Sequence, residues 1–272
     1  MNVIDNIRNT FQRQSKLTVM IIINVAVFLT VNIGINIAHV YLVPYLGLPV
    51  SLYEFPLKFW TLLTYMFTHE GLMHAFYNLI LLFFSGQIFY SILGEKRLVY
   101  VYVMSGFFGG LFYLLLGYFL PHSFGGTYLI GASAAVMGVI GVVALYAPNM
   151  PVNLFMLIEI PYKYFALLVF VMSTVIDFAV NTGGKISHLG GMAFGLFYGY
   201  SLKNGKDLFD FTIKNKSKNT LKVVHRSEQT STKSGKSEED YLNRLLDKIS
   251  KSGYDSLSKK EKEDLFHLSQ KK

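Results

Sequence analysis

Six apolar segments of roughly membrane length recur between residues 17 and 202, and they constrain the fold more than any other feature. A membrane helix needs about 20 mostly apolar residues. By that measure the segments run over about 17–40, 74–93, 98–120, 133–147, 162–180 and 187–202. The fourth and sixth are short and rich in Gly and Ala. Charge follows the same division. Only 15% of the 272 residues are charged, against roughly 25% in soluble domains. Before residue 203 the acidic residues are Asp5, Glu54, Glu70, Glu95, Glu159 and Asp177. The first three-quarters therefore reads as an all-α, polytopic membrane domain, and the rest as a soluble appendage. The net charge of +8 is what Lys and Arg beside cytoplasmic helix ends produce, so it does not argue for nucleic acid. The absence of cysteine excludes disulfides, thiol catalysis and Cys-ligated zinc.

Four divisions follow. Residues 1–16, with Arg8, Arg13 and Lys16, read as a cytoplasmic lead-in too polar for a signal peptide. Residues 17–202 hold the six spans. Residues 203–237 read as a flexible polar linker. Residues 238–272 read as a helical hairpin: Leu242, Leu245, Leu246 and Ile249 fall at helical spacing, Gly253 is a stop, and Ser258 with Glu261 matches a capping box. Lys and Arg predict the orientation. Lys96 and Arg97 occupy the very short 94–97 loop and the tail is rich in Lys, which places both termini in the cytoplasm. Lys163 agrees weakly, and Lys185 is a mild exception.

That topology predicts one depth for four polar residues. His74 and Asn78 open the second segment, Ser133 opens the fourth and His188 opens the sixth. All four fall near the outer ends of spans running from outside to inside. Polar side chains in hydrocarbon are costly unless paired or employed. Ser133 sits in the run GASA, at a loop-to-helix transition. Gly131 there permits a tight turn, and a helix N-terminus favours an oxyanion. Close helix packing by small residues explains the same run. His188 precedes Gly191, Gly195 and Gly199, each four apart, a stripe that admits a close neighbour. A neighbour carrying Ser133 would meet an imidazole suited to general base catalysis; a packing hydrogen bond is the alternative. His74 and Asn78, at i and i+4, offer two side-chain donors on one helix face, or an interhelical bond. His69 and His122 read as interfacial. Asp177 reads as lining the outer mouth of the fifth segment, with no role assigned. A zinc site of His69, His74 and His188 is weakened by the lack of an acidic member. A transporter would need a polar path to the inner face, where these spans offer little beyond Ser85, Gln87 and Ser91.

At these residues the chain resembles the rhomboid family of intramembrane serine proteases. HEGLMHAFYNL matches the family's second-span pattern, with His74 and Asn78 as its H-x-x-x-N pair. GASA matches G-x-S-x, with Ser133 as nucleophile. HLGGMAFG matches H-x-x-G-x-x-x-G, with His188 as base and Gly191 and Gly195 as packing glycines. The resemblance covers roughly residues 15–202. It implies a six-helix bundle with a water-accessible cavity opening outward. It implies cleavage of transmembrane protein substrates in or near their membrane segments, by a Ser–His dyad with neither metal nor cofactor. His74, Asn78 and the Ser133 backbone N–H would hold the oxyanion. Four departures stand out. Ala134 replaces the usual Gly after the serine. Met137 replaces an aromatic that stacks on the histidine. Trp60-Thr61 stands for a Trp-Arg pair, and Ser187 for an Ala before the histidine. The tail resembles an appendage of some bacterial members, for a partner the sequence does not identify. A non-catalytic relative that binds membrane clients is the alternative function.

Overall fold

The computed structural model describes residues 15–120, 128–154, 158–175, 182–210 and 233–270. They fall in two units, residues 1–217 and 218–272. The first unit is built on α1 (Lys16–Asn36), α2 (Leu72–Leu93), α3 (Glu95–Phe119), α4 (Ser133–Tyr146), α5 (Tyr162–Thr174) and α6 (Thr182–Lys203). Among the described residues three helices, α1 to α3, are long and apolar enough to cross a membrane; α4 and α5 are shorter apolar helices. The apolar windows of α1 and α2 are only 22% and 28% buried. Ile22, Leu29, Ile33, Phe83 and Phe84 face outward, as the rim of a bundle surrounded by lipid requires. The protein is an all-α membrane bundle.

At its centre stands α4. Every residue from Ala134 to Val143 is buried, and its principal neighbours are α6 and α3. The small-residue stripe explains how. A Cβ at Gly191 would run into the Ala134 carbonyl, and one at Gly195 into that of Gly138. Without side chains there, the backbones of α6 and α4 meet directly, where dispersion and interhelical contacts replace the hydrophobic effect that lipid cannot supply. The methyl of Ala134, which replaces the expected Gly, is directed at α3. It fills the space over Gly109 of α3, 2.7 Å from where a Cβ would stand.

Three boundaries differ from the sequence expectation. Helix α6 starts at Thr182, so His188 lies nearly two turns inside it and not at its start. The loop after α4 contains a two-stranded antiparallel hairpin, β1 (Pro151–Leu154) with β2 (Ile158–Pro161), pairing Val152 with Ile160. Its run VNLFMLIEI lacks the strict alternation that marks a half-buried strand. The expected linker does not begin at 203. Asp207 accepts from Arg97 Nε at 2.6 Å and from the Tyr198 hydroxyl at 2.7 Å, and Phe209 packs on Tyr100. Residues 206–210 are thereby fastened to α3 and α6; residues 211–232 of that linker lie outside the described part, and its last five residues, 233–237, are already helical.

The second unit pairs α7 (Lys233–Ser252) with α8 (Lys259–Gln270). Leu245 and Leu257 are its buried apolar residues. Gly253 ends α7 with φ +78°, its N–H on the Ile249 carbonyl at 2.8 Å, the left-handed stop that Gly adopts readily. The capping box forms reciprocally: Ser258 N–H donates to Glu261 at 2.7 Å and Glu261 N–H to Ser258 Oγ at 3.3 Å. The Lys248 ammonium, 2.8 Å away, and the Ser258 groups hold the Glu261 carboxyl down at about 2, from an ordinary 4.5. A depressed carboxylate stabilises the fold above its unfolded value and ceases to as pH falls through its folded value. Amide protection in residues 241–268 is therefore expected to weaken between about pH 4.5 and 2. Hydrogen exchange on the full chain checks this, and Glu261→Gln is expected to flatten the response.

Candidate active site

Ser133, Gly131 and His74 meet at the N-terminus of α4, and His188 lies on the helix packed against it. Ser133 is the first residue of α4, half-buried, with Ala132 as N-cap. The first intrahelical bond at this end is Val136 N–H to the Ala132 carbonyl at 2.9 Å. The amides of Ser133, Ala134 and Ala135 are therefore the orphan donors that every helix start carries, at the positive end of the dipole. Gly131 has φ +115°, a backbone that other residues rarely adopt. A Cβ there would also lie 2.7 Å from the His74 ring. Glycine is needed twice over: for the turn, and to let the imidazole lie against the serine loop.

The segment 65–69 holds this loop from behind. Gly131 N–H donates to the Tyr65 carbonyl at 2.9 Å, and Ala132 N–H donates to His69 Nε2 at 3.1 Å. Tyr65 is itself tied to α3 by its hydroxyl, 2.6 Å from the Gly106 carbonyl. Two successive amides before Ser133 are thus spent on the scaffold, leaving the helix-start amides for a ligand. His69 had read from the sequence as interfacial. It is fully buried, its ring 5.2 Å from that of His74. Its partner is a backbone N–H 63 residues away, a contact no local pattern announces. The only signal was its position five residues before His74.

His188 is 9% exposed on α6. It lies one turn before Gly191, which abuts Ala134, so it is carried on the stretch of α6 that packs against the start of α4. Its Nδ1 is 3.4 Å from Thr174 Oγ1 of α5. His74 lies within electrostatic range of it. The Ser133 hydroxyl forms no hydrogen bond among the described residues. Asn78, 6% exposed, donates one amide proton to the His74 carbonyl at 2.8 Å, which leaves the second for another acceptor. A cavity of about 160 Å³ opens beside His74, between Tyr113, Tyr128, Ile130 and the Gly183–Gly184 backbone. Two larger hollows, of about 560 and 500 Å³, lie at the far ends of the helices and contain no histidine. The smaller cavity is the one lined by His74. His122 and Asp177 lie outside the described residues.

Comparisons with known proteins follow this geometry. The model of the Rhomboid domain matches residues 56–205, just over half of the chain. Residues 232–271 match a family of unknown function, DUF6576. Inactive RHOMBOID-like protein 8 of Arabidopsis thaliana is 34% identical over 84 residues, which are 31% of this chain and 22% of that protein. The chain thus spans less than a quarter of that relative's length.

Proposed function

The chain belongs to the rhomboid family, and on that premise we propose that it is an intramembrane serine endopeptidase acting on transmembrane protein substrates. One observation carries the reading. Ser133 stands at the dipole-positive start of a buried helix, His188 lies on the helix packed against it, and the His74 ring lies against the Gly131 turn that leads to Ser133. His188 takes the Ser133 proton as the hydroxyl oxygen attacks the scissile carbonyl. The Ser133 N–H, the His74 ring and the free Asn78 amide proton hold the resulting oxyanion. His188 then protonates the leaving amine and activates the water that hydrolyses the acyl-enzyme. The Ser133–His188 hydrogen bond would form in the substrate complex, as catalytic contacts that are absent or long without substrate commonly do. The distribution of Lys and Arg favours cytoplasmic termini and a site opening toward the outer face. Residues 211–232 and the terminal hairpin carry none of the reacting groups, and are assigned to an unidentified partner.

The Arabidopsis relative bears the word inactive in its name, which gives the second reading substance: a non-catalytic protein that binds membrane clients. A serine-reactive fluorophosphonate probe separates the two. Wild-type protein in liposomes is expected to label, and Ser133→Ala to lose the label. Folded wild-type protein that does not label favours the client binder.

A further inference from the structure

The histidine of a Ser–His dyad must keep one nitrogen free for the serine proton. Neutral imidazole has two tautomers, and the hydrogen bond at one nitrogen decides the state of the other. Rhomboid enzymes with an aromatic residue four positions after the serine stack it on the ring. Met137 stands there in this chain, and a thioether orients a ring less rigidly. The side chains on α5 point to what takes over that task.

Thr174 is 4% exposed and faces His188. A threonine in a membrane helix ordinarily returns its hydroxyl to the carbonyl four residues back. Here its hydroxyl has two hydrogen-bonding neighbours among the described residues, each at 3.4 Å: His188 Nδ1 and Ser173 Oγ. Ser173 in turn lies 3.3 Å from the Phe170 carbonyl, with the Met137 sulfur at 4.0 Å a weaker acceptor. The Phe170 carbonyl can only accept, so it fixes the direction of the whole chain. Ser173 donates its proton to that carbonyl. The Ser173 oxygen then accepts from Thr174. The Thr174 proton is thereby spent, and its oxygen turns a lone pair to the imidazole. In that arrangement Nδ1 carries the N–H that meets it, and the backbone of Ser173, also hydrogen-bonded to His188, favours the same N–H.

We propose that Thr174, supported by Ser173, is a positioning residue that holds His188 as the Nδ1–H tautomer. Nε2 is thereby left as the base for Ser133. The inference rests on the protease reading for its purpose, and on the hydroxyl series for its geometry. It replaces the missing aromatic with hydrogen bonds from a neighbouring helix.

Three variants and two readouts test it in the full chain. Thr174→Val keeps the shape and removes the oxygen. Thr174→Ser keeps the oxygen. Ser173→Ala breaks the series one link further out. Thr174→Val is expected to lower kcat about tenfold, the change that one net hydrogen bond corresponds to, with KM nearly unchanged. Ser173→Ala is expected to lower kcat less, and Thr174→Ser to restore most of it. The second readout is the ¹⁵N spectrum of His188 in detergent, which distinguishes the two tautomers without any substrate. It is expected to show Nδ1–H in wild type and a mixture in Thr174→Val. Wild-type kcat and an unchanged tautomer in Thr174→Val would overturn the proposal. So would Thr174→Ser as impaired as Thr174→Val, since that marks a packing role. Should Ser133→Ala retain cleavage, the protease reading fails by itself, and the spectrum still reports on the hydroxyl series.

Discussion

Ser133→Ala and His188→Ala are each expected to lower turnover of a transmembrane substrate on the order of 10⁴- to 10⁶-fold, and the double variant to be little worse than either. Members of one catalytic unit do not contribute independently, because the remaining member has nothing to act on. The residue of activity that survives is what the oxyanion donors and substrate binding supply without a nucleophile. Reconstituted enzyme and a substrate labelled on both sides of the bilayer provide the measurement. Two controls matter. Helix α4 must remain folded in Ser133→Ala, which thermal denaturation can verify because residues 134–143 are buried in the bundle. Asn78, which binds the His74 carbonyl, must not be disturbed. Substantial turnover by Ser133→Ala sinks the assignment.

The second large effect is graded along one helix. Gly191→Ala and Gly195→Ala each drive a methyl into a carbonyl of α4, that of Ala134 and that of Gly138. Neither obstacle is the end of a flexible side chain, so the helices have to separate. At Gly199 the same methyl meets the Val142 carbonyl at 2.8 Å and the Leu145 Cβ at 3.2 Å, a milder overlap than at the other two. Overpacking of a close-packed core costs typically about 1–3 kcal/mol and sometimes more. Gly191→Ala and Gly195→Ala are expected at or above the top of that range, and Gly199→Ala near the bottom. Gly191→Ala is also expected to cost activity beyond its effect on stability. It pushes the stretch of α6 that carries His188 away from the start of α4. Unfolding midpoints of the three variants in one detergent rank them; equal midpoints would mean that α6 slides freely along α4.

The candidate site was open to reading because the motifs that mark the rhomboid family are local. Ser133 has Gly131 two residues before it, His188 has Gly191 and Gly195 at helical spacing after it, and His74 with Asn78 shares a helix turn. What the sequence left closed depends on distant partners. His69 matters through a backbone amide in another element. Thr174 looks like any polar residue in an apolar run until α5 is laid beside α6. Arg97 reads as a topology marker, and its partially buried guanidinium then claims Asp207 from what had looked like linker. Ala134 looks like an obstruction beside the serine until Gly109 is seen to receive its methyl. In each case the decisive neighbour comes from the bundle, where composition and spacing carry no information.

Helix α4 has one further consequence. Its 14 residues rise about 21 Å at about 1.5 Å each, against a hydrocarbon layer of about 30 Å. The element that presents the nucleophile therefore falls roughly 9 Å short of crossing that layer. Peptide hydrolysis inside a membrane must bring together two things that exclude each other, an oily substrate segment and a molecule of water. On the protease reading, a short central post, buried from Ala134 to Val143 and flanked by the longer α3 and α6, would leave room for solvent above it without thinning the surrounding bilayer. The depth at which the peptide bond is cut would then be set by where this post stops, and a substrate segment would have to uncoil far enough to reach down to it.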